Sequence, residues 1–138
     1  MTRAPAQTLA LLFGAVFVAV GVLGFVPGIT TDYGEMTFAG AESASQLVGV
    51  FQVSILHNIV HLLVGVAGLR LGSTREGART YLVGGGIAYL LLWLLGVADG
   101  ADWIPADDAD DWLHLGLGVV MVTSGLVTAR IPRTVPRR

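Results

Sequence analysis

Three histidines are the residues of this 138-residue chain best suited to chemistry. His57 and His61 are four positions apart, so both imidazoles would share one face of a helix, and His114 lies in a separate apolar stretch. An imidazole can bind a transition metal or haem iron, or carry a proton near neutral pH. In a membrane the same side chains can also serve only as hydrogen-bond partners between helices. The residue types alone therefore leave several roles open.

Further polar residues accompany the histidines. Ser54, His57 and His61 follow one predicted helix face with Asn58 beside it, and two aspartates lie one turn before His114. The predicted polar site comprises Ser54, His57, Asn58, His61, Asp110, Asp111 and His114. Ser54, Asn58 and the three histidines are expected to line a central cavity that opens towards the acidic side. The leading hypothesis is a non-enzymatic component that binds a small ligand or partner protein there.

Metal or haem binding by His57, His61 and His114 is the main alternative, and otherwise no cofactor is expected. The segment from His57 to His61 lacks the glutamate that zinc proteases use as general base, which excludes that class. A haem would need two axial imidazoles at one depth. Counted from the arginine that follows each stretch, His61 and His114 differ in depth, which disfavours this pair. A proton-coupled carrier is a third hypothesis.

Four uncharged stretches must position these side chains. About 20 apolar residues cross a bilayer as a helix, and 54% of the residues are hydrophobic while 13% are charged. We therefore predict one all-α membrane domain over residues 1–138, a bundle of four transmembrane helices. The predicted spans are 7–26, 46–69, 80–98 and 112–129. The expected partners are the lipid bilayer and a second copy or another membrane protein, and the net charge of -2 argues against nucleic acid.

Glycines occupy the same predicted helix faces as the polar residues. Glycine lets helix backbones approach closely in lipid, so these faces are expected to form tight contacts in the bundle. The predicted packing positions are Gly14, Gly21, Gly65, Gly68, Gly72, Gly118 and Gly125.

The four stretches also suggest an internal repeat. An offset of 72 residues aligns Phe17 with Tyr89, and an offset of 53 aligns His61 with His114. Each repeat would contain two spans, so the two halves would have parallel orientations about an axis along the bilayer normal.

Charge separates strongly between the two sides of the predicted bundle. All eight basic residues fall on one side: Arg3, Arg70, Arg75, Arg79, Arg130, Arg133, Arg137 and Arg138. Nine of the ten acidic residues fall on the other: Asp32, Glu35, Glu42, Asp99, Asp102, Asp107, Asp108, Asp110 and Asp111. Because cytoplasmic loops carry an excess of arginine and lysine, we predict a multi-pass plasma-membrane protein with both termini in the cytoplasm.

The histidine-bearing segment from Phe51 to Leu69 resembles an actinobacterial family of four-span membrane proteins, the domain-of-unknown-function family DUF4383. Residues 80–86 and 112–118 are similar to the third and fourth spans of that family. The resemblance covers nearly the whole chain from the first span to the fourth. It implies a source and a topology, and it carries over no activity, cofactor or partner.

The charge separation generates a topology prediction. The chain has no cysteine, so the single-cysteine variants Asp102→Cys and Arg75→Cys each report on one loop. In intact cells, an impermeant maleimide should label Asp102→Cys and leave Arg75→Cys unlabelled until the membrane is permeabilised. Labelling of Arg75→Cys in intact cells would reverse the orientation.

Overall fold

Four helices dominate the computed structural model, which describes residues 3–40, 42–98 and 108–129. They are α1 (Pro5–Leu23), α2 (Ile55–Leu71), α3 (Arg75–Val97) and α4 (Asp108–Ala129). The predicted all-α fold with a bundle of four helices is therefore confirmed. Asp99, Asp102, Asp107 and the four arginines after residue 129, all used in the charge argument, lie outside the described residues.

Helix length and composition indicate a membrane protein. Within the described residues, α1, α3 and residues 109–128 of α4 are long and apolar enough to cross a bilayer, and α2 is a shorter apolar helix of 17 residues. Leu12, Leu63 and Leu91 are each more than half exposed on the outside of the bundle. Large apolar side chains along helix surfaces are stable in lipid and unfavourable in water.

A small antiparallel sheet lies between α1 and α2. Its strands are β1 (Thr30–Thr31), β2 (Gln46–Leu47) and β3 (Phe51–Gln52), in the order β1-β2-β3. A short 3-10 helix, Tyr33–Glu35, follows β1. The second span was predicted to start at residue 46, but α2 starts at Ile55 and the residues before it form β2, β3 and their connection.

Hydrogen bonds to the loop residues that precede α2 fix the start of this helix. The first N–H groups of a helix lack partners within the helix. Here Ile55 N–H donates to Thr37 O at 3.1 Å and Leu56 N–H donates to Phe38 O at 2.9 Å. His57 N–H donates to the Ser54 hydroxyl oxygen at 3.2 Å, so Ser54 is the N-cap residue. The helix therefore begins where the preceding loop supplies acceptors.

The helices pack as two close pairs. α1 packs mainly against α2, α3 packs mainly against α4, and the largest contact between the pairs joins α1 to α3. Phe17 of α1, together with Tyr81, Leu82 and Tyr89 of α3 and Met121 of α4, belongs to the buried core.

Backbone contacts at glycine set the spacing within each pair. A Cβ atom on Gly14 would lie 2.9 Å from Gly65 O, and one on Gly65 would lie 2.8 Å from Gly14 O. The corresponding distances are 2.9 Å for Gly86 against Gly118 O and 3.0 Å for Gly118 against Gly86 O. At these positions the two backbones touch, so neither helix has room for a side chain.

The other predicted packing glycines are buried as well. Gly21 lies against Leu62 of α2, and Gly68 lies against the ring of Tyr81. Gly72 contacts Leu11, and Gly125 contacts Val83. Three of these contacts join two different helices, and Gly72, the C-cap residue of α2, contacts α1.

Alanine substitutions should distinguish contact glycines from open ones. Gly65→Ala and Gly118→Ala force the paired backbones apart and should each lower the free energy of unfolding by about 1–3 kcal/mol. A Cβ atom at Gly84 or Gly116 meets nothing within 4 Å. Gly84→Ala and Gly116→Ala should therefore be neutral or stabilising by up to about 1 kcal/mol, because alanine favours helix. Thermal unfolding in detergent measures all four; the same sign at both kinds of position would contradict this packing.

Candidate functional site

A row of five aromatic rings crosses the bundle and contains all three histidines. The ring row runs in the order His57, His61, Phe17, Tyr89, His114 and includes residues of all four helices. Successive ring centroids are 4.4, 5.7, 5.3 and 5.4 Å apart. Phe17 and Tyr89 stack on each other at the α1–α3 contact with an interplanar angle of 21°. The histidines therefore flank a central pair of carbocyclic rings.

A hydrogen bond to the backbone determines which ring nitrogen of neutral His61 carries the proton. His61 Nδ1 lies 3.2 Å from His57 O, one turn earlier in α2. A carbonyl oxygen only accepts, so Nδ1 carries the proton and donates it. Nε2 is then the unprotonated nitrogen, able to accept a hydrogen bond or bind a metal.

Ser54 and Asn58 occupy the start of α2. Ser54, predicted on the helix face with the histidines, instead precedes the helix and caps it. Asn58 is completely buried, and its Nδ2 lies 3.9 Å from Met36 Sδ in the loop after α1. Its side chain packs against Gly24, where any Cβ would collide with the amide. Asn58 Oδ1 is buried without a hydrogen-bond partner among the described residues.

The start of α4 holds the remaining polar residues. Asp110 and His114 are 2% and 5% exposed, and they share a buried face of α4. The carboxylate of Asp111 packs against Gly96 of α3, and Asp111 Oδ1 is buried with no hydrogen-bond partner in the described part of the chain. Carboxylates near a helix N-terminus are stabilised by the helix dipole.

All seven predicted polar residues therefore lie at one end of the bundle, which we call the histidine end. It comprises the starts of α2 and α4 and the ends of α1 and α3. His57 and His61 are adjacent, whereas His114 lies on the far side of the Phe17–Tyr89 pair. The predicted approach of the three histidines across one cavity differs from this arrangement, because two rings occupy the space between them.

The separation of the histidines by the Phe17–Tyr89 pair also bears on the predicted metal and haem binding. Among residues 3–40, 42–98 and 108–129, no group of three His, Cys, Asp or Glu side chains is arranged to hold a metal ion. His61 and His114 come to the level of the same ring pair, although counting residues placed them at different depths. Each nevertheless contacts a different carbocyclic ring, so they do not face each other as haem ligands would.

Phe17 and Tyr89 are the site residues that sequence analysis did not identify. Both had been noted only as aligned aromatic positions of the suggested repeat. The signal that could have found them is their helical spacing from the glycines: Phe17 lies between Gly14 and Gly21, and Tyr89 lies three residues after Gly86, on the buried face of each helix.

No curated protein and no solved structure is detectably similar to this chain. A family described as Domain of unknown function (DUF4383) matches residues 7–127, from the first turn of α1 to the last turn of α4. Since this match covers the whole helical bundle, including the ring row and both glycine contacts, the chain belongs to the DUF4383 family.

Proposed function

We propose that this protein is a non-enzymatic, multi-pass component of the plasma membrane that binds a small ligand or partner protein at its histidine end. Both termini lie in the cytoplasm in this proposal, and the histidine end faces the opposite side. Arg70, Arg75 and Arg79, at the end of α2 and the start of α3, support this orientation because arginine favours the cytoplasmic side.

The observation that carries the binding proposal is the pair of buried acceptors at the histidine end. Asn58 Oδ1 and Asp111 Oδ1 each lack a hydrogen-bond partner among the described residues. An unsatisfied buried polar group costs about 1–3 kcal/mol, and more when it is charged. A ligand or partner that donates hydrogen bonds would remove this cost. Nine acidic residues on the same side favour a donor-rich or cationic molecule.

Equivalent contacts in the two helix pairs support an internal repeat with parallel halves. Gly24 packs against Asn58 as Gly96 packs against Asp111. These pairs correspond under the same offsets that align Phe17 with Tyr89 and His61 with His114. The two acceptors are then equivalent positions, one neutral and one charged. The proposed ligand would therefore meet two similar sites that differ by one carboxylate.

A metal-binding membrane redox protein is the second candidate, and His61 is the observation in its favour. A backbone carbonyl that accepts from Nδ1–H orients an imidazole in the way commonly seen for metal ligands. His57 is adjacent to His61, so these two could share one ion with ligands from elsewhere. A proton-coupled carrier is less well supported, because the non-titratable ring of Phe17 interrupts the ring row between His61 and Tyr89.

Replacement of Asn58 tests the binding proposal. Protein purified from native membranes should carry a non-covalently bound species, detected by native mass spectrometry, and Asn58→Leu should lose it while keeping its helical content. Thr123→Val is the matched control, because the Thr123 hydroxyl is exposed and bonds only to carbonyls of its own helix. A wild-type protein without any bound species, combined with a lower melting temperature for Asn58→Leu, would favour a purely structural role.

Replacement of the histidines distinguishes the candidate functions. If the protein binds a small ligand or partner at the histidine end, it should contain no stoichiometric metal and its absorption spectrum should show no Soret band. His57→Gln, His61→Gln and His114→Gln should then change the unfolding free energy by about 1 kcal/mol or less, because glutamine still donates and accepts hydrogen bonds. Elemental analysis, an absorption spectrum and melting curves at pH 5.5 and about 8 measure these effects on either side of the usual titration of histidine. A stoichiometric metal lost in His61→Gln would establish the second candidate instead.

A further inference from the structure

A groove lies between α3 and α4 at the end of the bundle opposite the histidines. It has a volume of about 470 Å³ and is lined by Glu76, Arg79, Thr80, Val83, Gly84 and Leu126. The α3 residues fall on three successive turns of one helix face, and Leu126 provides the wall from α4. The groove therefore runs along the helices, from the arginine-rich end towards the middle of the bundle.

The part of the groove nearer the middle of the bundle is apolar and open. Val83 and Leu126 form its walls, and Leu126 is 45% exposed. Gly84 forms the floor, where a Cβ atom would meet nothing within 4 Å. Lipid tails are as apolar as leucine, so an open groove with walls of Val83 and Leu126 suits an acyl chain.

The other end of the groove, at the start of α3, is polar and lies close to an excess of positive charge. Arg79 and Thr80 supply hydrogen-bond donors, and Glu76 is an acidic residue of the lining. Arg75 precedes Glu76 in the first turn of α3, and four more arginines follow α4 in the sequence. Basic pockets between membrane helices at the level of the lipid head groups bind anionic lipids. The Glu76 carboxylate can accept hydrogen bonds from head-group hydroxyls.

We propose that this groove binds one anionic phospholipid with a hydroxyl-bearing head group. The phosphate contacts Arg79 and Thr80, the head-group hydroxyls approach Glu76, and an acyl chain lies along Val83, Gly84 and Leu126. The proposal requires the helices to lie in a bilayer. It does not depend on the ligand proposed for the histidine end.

Native mass spectrometry of the full chain in detergent tests this proposal, with dioleoylphosphatidylglycerol and dioleoylphosphatidylcholine as probes. The first bound lipid should show a preference of about fivefold or more for phosphatidylglycerol, the expected effect of one arginine near an anionic head group. Arg79→Gln should abolish the preference and Arg79→Lys should largely keep it. Gly84→Leu should weaken the binding of both lipids, because the added side chain fills the groove floor.

Two matched controls accompany these variants. Arg70→Gln removes an exposed arginine of α2 that does not line the groove, and Gly116→Leu adds the same bulk at another open glycine. Both should retain the wild-type preference. Soluble glycerol phosphate should not compete with phosphatidylglycerol, since it lacks the acyl chain; effective competition would indicate a free-phosphate site and overturn the proposal. Equal binding of the two lipids by the wild type, or an unchanged preference in Arg79→Gln, would also overturn it.

Discussion

Direct contact between helix backbones at glycine is the constraint on which the rest of this structure depends. Gly14 touches Gly65 and Gly86 touches Gly118, which brings α1 onto α2 and α3 onto α4 with no side chain between them. Phe17 and Tyr89 lie on the same buried helix faces as these glycines and project towards the other pair. Phe17 and Tyr89 meet there, and the histidines pack on their outer sides. The glycine contacts thus determine where the polar chemistry of the chain lies.

Hydrophobic periodicity was enough to predict the four helices and much of their buried faces. On α4, for example, His114, Gly118, Met121 and Gly125 recur at helical spacing, and all four are buried. Periodicity could not predict the start of α2, because the residues around β2 and β3 are as apolar as the helix that follows. The turn between these strands also places Val48 at a φ of 50°, a conformation that valine rarely adopts and that long-range contacts must maintain.

The candidate site, like the helices, could be predicted from the sequence only in part. The sequence identifies which polar residues lie in apolar helices, since histidine, asparagine and aspartate are costly there. It does not reveal what separates them, because the stacking of Phe17 on Tyr89 joins residues far apart in the chain. Depth counted along each helix placed His61 and His114 at different levels. That estimate assumed that the two helices end at one depth, whereas α2 has 17 residues and α4 has 22, and each histidine lies six positions after the first residue of its helix.

The shortness of α2 has a consequence for the lipid around the protein. Its 17 residues extend about 25 Å, less than the roughly 30 Å of a typical hydrocarbon core. α3, with 23 residues, is long enough to span that core. In the four-span arrangement proposed above, this difference places the largest hydrophobic mismatch beside α2 and the sheet that precedes it. A bilayer adapts to such a flank by thinning locally, at a cost that grows with its resting thickness. In that arrangement, membrane thickness acts on the tilt and distribution of the protein mainly through α2.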